Sequence, residues 1–325
     1  MIINLDEPNY HYDRFRKVTE DLAKQYDSIL KCVTIGESHD NRDILLLKLG
    51  LGKKYIICCG GVHARETINP VVLLRIVEYY ADLYINYRQK RLNLKKKLTS
   101  PNVHLKEEYE QMLYDACIYE LLQTYTILLV PLLNPDGYMI AQYGFDSIRD
   151  PKLRDLCIGK DYDPAEWKEN ARGIDINRNF PSQFWSKKFE GDYPASENET
   201  KALIRLFQEY PSLGFLDFHS RGKSIYYYRN RMPEHYNKRQ LEIANRLCEI
   251  TGYELVPPEE EIDPGDTGGN TVHYYSEYFH KPALTIETVE DEANFPLMDQ
   301  YRNTTFKELK LLISEFGSML LFRSD

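Results

Sequence analysis

Lys54-Tyr-Ile-Ile-Cys-Cys-Gly-Gly-Val-His-Ala-Arg-Glu-Thr-Ile-Asn-Pro70 contains the fold in miniature. Residues 54–62 are apolar almost throughout, as a strand covered on both faces should be. The run leads straight into His63-Ala64-Arg65-Glu66. Asn69-Pro70 then opens a helix over 69–87, with proline in the first turn, where its missing N–H does no harm. Strand, polar loop and helix in that order form the repeating unit of an α/β domain.

The flanks repeat the pattern. Residues 10–30 place Phe15, Val18, Leu22, Tyr26 and Leu30 at helical spacing among charges. Residues 31–36 and 43–50 read as strands, and the turn-forming E-S-H-D-N-R-D between them predicts a hairpin at a sheet edge. Residues 88–122 turn basic and then amphipathic, which reads as a solvated helical insertion rather than a nucleic-acid patch. T-I-L-L-V-P-L-L at 126–133 is another buried strand, closed by the turn signal N-P-D-G-Y at 134–138. Further strands are expected at 214–219 and 283–288, and helices near 198–209, 235–251 and 304–318. No repeat or linker intervenes. The whole, 1–325, is expected to be a single α/β domain: a mixed, mostly parallel twisted sheet flanked by helices.

Composition narrows the functional classes. A formal net charge of −9 argues against nucleic acid as the main partner. No segment approaches the ~18 consecutive apolar residues of a membrane span. The N-terminus lacks a basic and then apolar leader, so the expected address is cytoplasmic. Six scattered cysteines without a CxxC pair suit reduced, mostly buried thiols rather than a disulfide framework. The 26 tyrosines read as packing and half-buried rims, or else as a cleft lined by phenols. Nothing in the chain specifies an oligomeric state.

Functional groups in such a sheet gather where strands end. The first strand quoted delivers His63 and Glu66, L-G-F-L-D-F delivers His219, and P-A-L-T-I delivers Glu287. Two histidines and a glutamate are an established catalytic zinc set, with a fourth position left for water. A further carboxylate is needed to take the water's proton and pass it to the leaving amine. Each residue taken alone has an ordinary structural reading; their shared position at sheet ends favours one zinc per chain and a hydrolytic site.

With these residues in place, the sequence resembles the zinc carboxypeptidase family, above all its bacterial branch of γ-D-glutamyl-diamino acid peptidases, which cut peptidoglycan stem peptides. The resemblance runs from about 10 to 315. It rests on G-G-V-H-A-R-E-T, N-P-D-G-Y, N-A-R-G-I-D-I-N-R-N-F at 170–180, P-A-S-E-N-E-T at 194–200, F-H-S and P-A-L-T-I-E, in that order. H-S-R-G-K-S-I-Y-Y-Y at 219–228 is similar to the bacterial branch in particular.

The resemblance implies His63, Glu66 and His219 as metal ligands and Glu287 as general base, then acid. It places Arg65 beside the metal, and Asn177 and Arg178 on the substrate's terminal carboxylate, which suits a guanidinium fork. It makes Asp175 an orienting partner of a ligand histidine. The family's oxyanion-stabilising arginine follows a tryptophan. Here Trp167 is followed by Lys168, with Arg172 as the alternative. The mobile tyrosine that carboxypeptidases place four residues before a Gly-Gly pair is replaced by Pro264. In the loop 261–270, Asp263 or Asp266 either meets a substrate ammonium or is simply solvated. The implied activity is hydrolysis of short peptides, with γ-D-glutamyl-diamino acid bonds foremost. The alternatives are removal of ordinary C-terminal residues and an inactive zinc-binding recognition module.

Overall fold

The computed structural model describes residues 2–8, 10–98, 106–261, 268–295 and 297–321. In chain order, helix α1 (Tyr12–Gln25) leads to strands β1 (Leu30–Glu37), β2 (Asp43–Leu49) and β3 (Lys54–Gly60). Helices α2 (Ile68–Leu98) and α3 (Lys106–Thr124) precede β4 (Tyr125–Val130), which is followed by α4 (Pro135–Tyr143), α5 (Pro151–Ile158) and α6 (Asn198–Glu209). Strands β5 (Ser212–Ser220) and β6 (Ser224–Tyr226), helix α7 (Glu234–Thr251), β7 (Glu254–Leu255), α8 (Thr271–Phe279) and β8 (Ala283–Thr288) come next. Helices α9 (Tyr301–Leu309) and α10 (Leu312–Leu321) complete the order.

The strands form one sheet in the order β1-β2-β4-β3-β5-β8-β6-β7. Its centre, β4-β3-β5-β8, is parallel, and the β1–β2 hairpin sits antiparallel at the edge. Alternation along the central strands divides the interior into two cores. Ile56 and Cys58 of β3, Leu216 and Phe218 of β5, and Leu284 and Ile286 of β8 face one core, together with α1, α2 and the C-terminal helices. Ile57 and Cys59, Phe215 and Ala283 face the other, with Leu203, Phe207 and Tyr275 from α6 and α8. Both faces are covered, which is why these strands read as unbroken apolar runs. Tyr80, Tyr125, Tyr138 and Tyr275 are fully buried, so much of the tyrosine excess is packing.

The helix expected over 69–87 runs on to Leu98, and α5, α8, β6 and β7 are elements the sequence reading did not include. Four further details differ from it. Residues 304–318 were expected as one helix but fall in two, and just past the break the amide of Ser314 donates to the buried hydroxyl of Tyr80. N-P-D-G-Y is not a free turn but the start of α4. Asn134 caps it by accepting from Gly137 N (2.9 Å), with Pro135 in the first turn. The segment read as solvated is partly core. Ile118 and Leu122 of α3 are fully buried, and Tyr119 stacks on Tyr84 and Tyr87 of α2. Finally, Cys58, Cys59 and Cys157 are buried thiols, but Cys117 is exposed.

Candidate metal centre

The carboxyl ends of β3, β5 and β8 converge, and the loops there are fastened by buried polar side chains. Asn134 donates to Val62 O (3.2 Å) and Glu169 O (3.0 Å), and Ala64 N donates to Lys168 O (3.1 Å). The His63 loop is thus bolted to the loop that carries Lys168. Gly137 makes this approach possible, since a Cβ there would lie 2.7 Å from Ala64 Cβ and 2.5 Å from Glu169 O. Asn69, fully buried in the first turn of α2, donates to His219 O (2.8 Å) and accepts from Thr288 Oγ1 (2.9 Å), tying β5 to β8.

On this frame His63, Glu66 and His219 bring their ligand atoms together, each of the three side chains buried. The Nδ1 atoms of His63 and His219 are 3.2 Å apart. Glu66 reaches both, with Oε1 2.6 Å from His63 Nδ1 and Oε2 3.1 Å from His219 Nδ1. Ser220 N donates to Glu66 Oε2 (3.1 Å) and fixes its direction. Ligands of a tetrahedral zinc with bonds of ~2.1 Å lie ~3.4 Å from one another. The 3.1 and 3.2 Å spacings come near that, and the 2.6 Å contact of Glu66 with His63 would open slightly to admit the ion.

The far nitrogens are backed by carboxylates. His63 Nε2 is 3.4 Å from Asp175 Oδ1, and His219 Nε2 is 3.1 Å from Asp217 Oδ2. With a carboxylate near each Nε2, Nδ1 is the nitrogen that faces Glu66 and the other imidazole, the side available to a metal. Asp217 accepts in turn from Thr271 Oγ1. Sequence reasoning missed Asp217, although an acid inside an otherwise apolar strand must have a partner.

The electrostatics ask for a cation. Burial would lower both histidine pKa values, but Glu66 and Asp175 outweigh it at His63, and Asp217 and Glu66 at His219, so both are raised. Burial would raise Glu66, yet the two imidazoles hold it down to about 2. Asp175 is likewise held well below the usual carboxylate range, with burial opposed by His63, Arg178 and Lys168. Glu287 goes the other way: burial pushes it up to about 8, with His219 opposing the shift and Glu66 adding to it.

Glu287 pairs with His219 across neighbouring parallel strands and so shares its face of the sheet. Lys168 lies close enough to act on Asp175, whereas Arg172 turns away to Glu197 (Nη1 to Oε1 3.3 Å). Arg65 is held by Glu166 (2.7 Å) and lies over the ring of Phe295, 4.1 Å from its centroid. Asn177 Oδ1 accepts from Thr271 N (3.1 Å). Gly269, at φ +81°, approaches Arg178 O so closely that a Cβ would sit 2.6 Å from it. Gly269 therefore packs against the Asn177-Arg178 turn, while Gly268 packs against Phe184. Asp263, Pro264 and Asp266 lie outside the described residues.

The sequence profile described as zinc carboxypeptidase matches residues 15–251. The chain belongs to that family. The family's cofactor is zinc, and the cluster of two imidazoles and a carboxylate suits it. The chain is 30% identical over 222 residues to the uncharacterized protein YqgT of Bacillus subtilis, covering 63% of this chain and 52% of that one. It is 22% identical over 308 residues to gamma-D-glutamyl-L-diamino acid endopeptidase 1 of Lysinibacillus sphaericus, covering 90% and 69%. Bovine thrombin-activatable fibrinolysis inhibitor, solved with a tick carboxypeptidase inhibitor, shares the fold at a TM-score of 0.72, with 18% identity and 98% of each chain covered. The chain spans about half the length of the first curated relatives it matches. Among the described residues, no helix is long and apolar enough to cross a membrane.

Proposed function

We propose that this chain is a zinc-dependent peptidase that hydrolyses short peptides, and that its preferred bond is γ-D-glutamyl to a diamino acid, as in cell-wall peptides. The observation that carries the hydrolytic reading is the placement of Glu287. It stands one strand from the ligand His219, on the same face, in surroundings that raise its proton affinity. His63, Glu66 and His219 would hold the zinc, whose charge would polarise the scissile carbonyl and acidify water at the site. Glu287 is the carboxylate placed to take the proton of an attacking water and return it to the departing amine. The Lys168 ammonium offers positive charge where the carbonyl oxygen becomes anionic. Asn177 and Arg178 receive the carboxylate end of the peptide, and Asp175 and Asp217 keep the two imidazoles in one tautomer.

The bond preference is supported by the Lysinibacillus relative, which aligns over 90% of this chain. A substrate panel tests it. A γ-D-glutamyl-diaminopimelate peptide should be cleaved at least ~10-fold faster in kcat/KM than ordinary C-terminal dipeptides, a gap of ~1.4 kcal/mol. The reverse order would leave a carboxypeptidase of ordinary C-termini. Full zinc loading without turnover of either would sink the hydrolytic reading.

A further inference from the structure

A second group of metal-capable side chains is tied to the loop 167–175 through Asn170 and Arg172. His39, in the turn between β1 and β2, meets Glu197 and Glu199, which flank the start of α6. His39 Nε2 is 3.1 Å from Glu197 Oε2 and 3.9 Å from Glu199 Oε2. Those separations bracket the ~3.4 Å expected between ligands of one tetrahedral ion. Both glutamates are fully buried. Glu199 has one oxygen on Asn170 Nδ2 (3.2 Å), and its other oxygen, buried, has no hydrogen-bond partner. An ionised carboxylate in that condition is poorly compensated by its neighbours.

Charge points the same way. The contacts join four buried carboxylates, Asp40, Asp136, Glu197 and Glu199, to two guanidiniums. Arg42 takes Asp40 (2.6 Å) and Asp136 (2.7 Å), and Arg172 takes Glu197 (3.3 Å). Asp136 acts on Glu199 through space. When all four carboxylates are ionised they outnumber the two guanidiniums by two charges, which one divalent ion held by the His39 imidazole and the glutamates would cancel. An imidazole among the donors suits zinc and its neighbours in the first transition row better than calcium or magnesium.

We propose that His39, Glu197 and Glu199 hold a second divalent cation, of the zinc type, and that this ion fastens the loop 167–175. Asn170 is the link. Its Nδ2 donates to Glu197 Oε2 (2.8 Å) and to Glu199, while its Oδ1 accepts from Arg172 N (3.0 Å) and Ile174 N (3.2 Å). The same loop presents Lys168 and Asp175 to the strand-end site. Ser196 Oγ on Glu197 Oε1 (2.6 Å) completes the surroundings of the pair. The ion is therefore structural: it neutralises the carboxylates against which a working loop is folded.

The test is a zinc count on the full chain, stripped with chelator and dialysed against Zn2+. Wild type should take up about two equivalents, His63→Ala and Glu199→Gln about one each, and the double variant none. Calcium should not restore the equivalent lost with Glu199. His39→Asn, on a different element, should lose the same equivalent as Glu199→Gln, which guards against a misfolded variant. Backbone amides of Arg172 and Ile174 should exchange with solvent more slowly once the second equivalent is bound. A wild type saturating at one zinc, or a Glu199→Gln variant that still binds two, overturns the proposal.

Discussion

Two clusters in this protein set imidazole against carboxylate, and they are built to different plans. At the strand ends, two histidines converge on one glutamate, and each has an aspartate behind its far nitrogen. At the hairpin turn, one histidine faces two glutamates already engaged by Asn170 and Arg172. The outcome shows in the carboxylates. Glu66 is held down to about 2 by two imidazoles, whereas Glu199 is pushed up to about 7 by burial and by Asp136. A donor count does not separate the two clusters. The groups standing behind the donors do, and on the proposed reading the first is a place for chemistry and the second a seam.

The hardest blow to this contrast would come from the first cluster. His219→Ala should abolish turnover and remove one zinc equivalent, leaving the His39 equivalent in place. Loss of both ions together would mean that the clusters are a single folding unit.

Next in size, Glu287→Gln should keep zinc and substrate affinity but lose at least ~10²-fold in turnover, since the change removes only the proton acceptor. Wild-type rates in this variant would hand the base role to another residue. Lys168→Ala should lower kcat by ~10²-fold with zinc content unchanged, as loss of an oxyanion donor does. Arg172→Ala, whose side chain rests on Glu197, should fall far less. The opposite ranking would move the oxyanion role to Arg172 and undo the division between catalytic and seam residues.

A gentler change probes what backs the ligands. Asp217→Asn keeps the shape but weakens the hold on His219, and should reduce zinc affinity at the first site by ~10- to 100-fold. An unchanged affinity would show that Asp217 serves only to anchor Thr271.

The smallest expected effect is a slope. Glu199 has its folded pKa raised from 4.5 to about 7, by burial first and Asp136 next, with His39 opposing. The folded chain therefore binds the proton more tightly than the unfolded one. The resulting stability is full below pH 4.5 and is lost as pH rises towards 7. With chelator present, wild-type unfolding free energy should fall relative to Glu199→Gln over that window, by at most ~1.4 kcal/mol per pH unit. Glu197, held down to about 2, stays ionised throughout the window and drops out of the difference. A flat difference would mean that Glu199 is already compensated.

Much of this was legible in the chain. The apolar runs at β3, β5 and β8 could be read because both faces of those strands are buried, and the polar residue that ends each run marks the site. Expected partners of different strands, such as His219 and Glu287, needed only the rule that functional groups sit at strand ends. Asp217 escaped notice because a single acid in F-L-D-F-H belongs to no local motif, and its partner Thr271 lies 54 residues further on. Asn134 and Gly137 looked like a turn, since capping and close packing use the same residues as turns do. His39 could not be joined to Glu197 by any local pattern. Their meeting depends on how the β1–β2 hairpin lies across the start of α6, and only the assembled sheet decides that.

His219 and Glu287 occupy one rung of the sheet, on adjacent strands. Their separation is set by the ~4.8 Å repeat of hydrogen-bonded backbone, with no loop in between. The distance between the proposed base and the ligand imidazole therefore behaves like a lattice constant, fixed by backbone pairing and not by the loops around it. Changes in the loops that spare the residues named above can therefore alter the surroundings of the site and leave the spacing of these two side chains untouched.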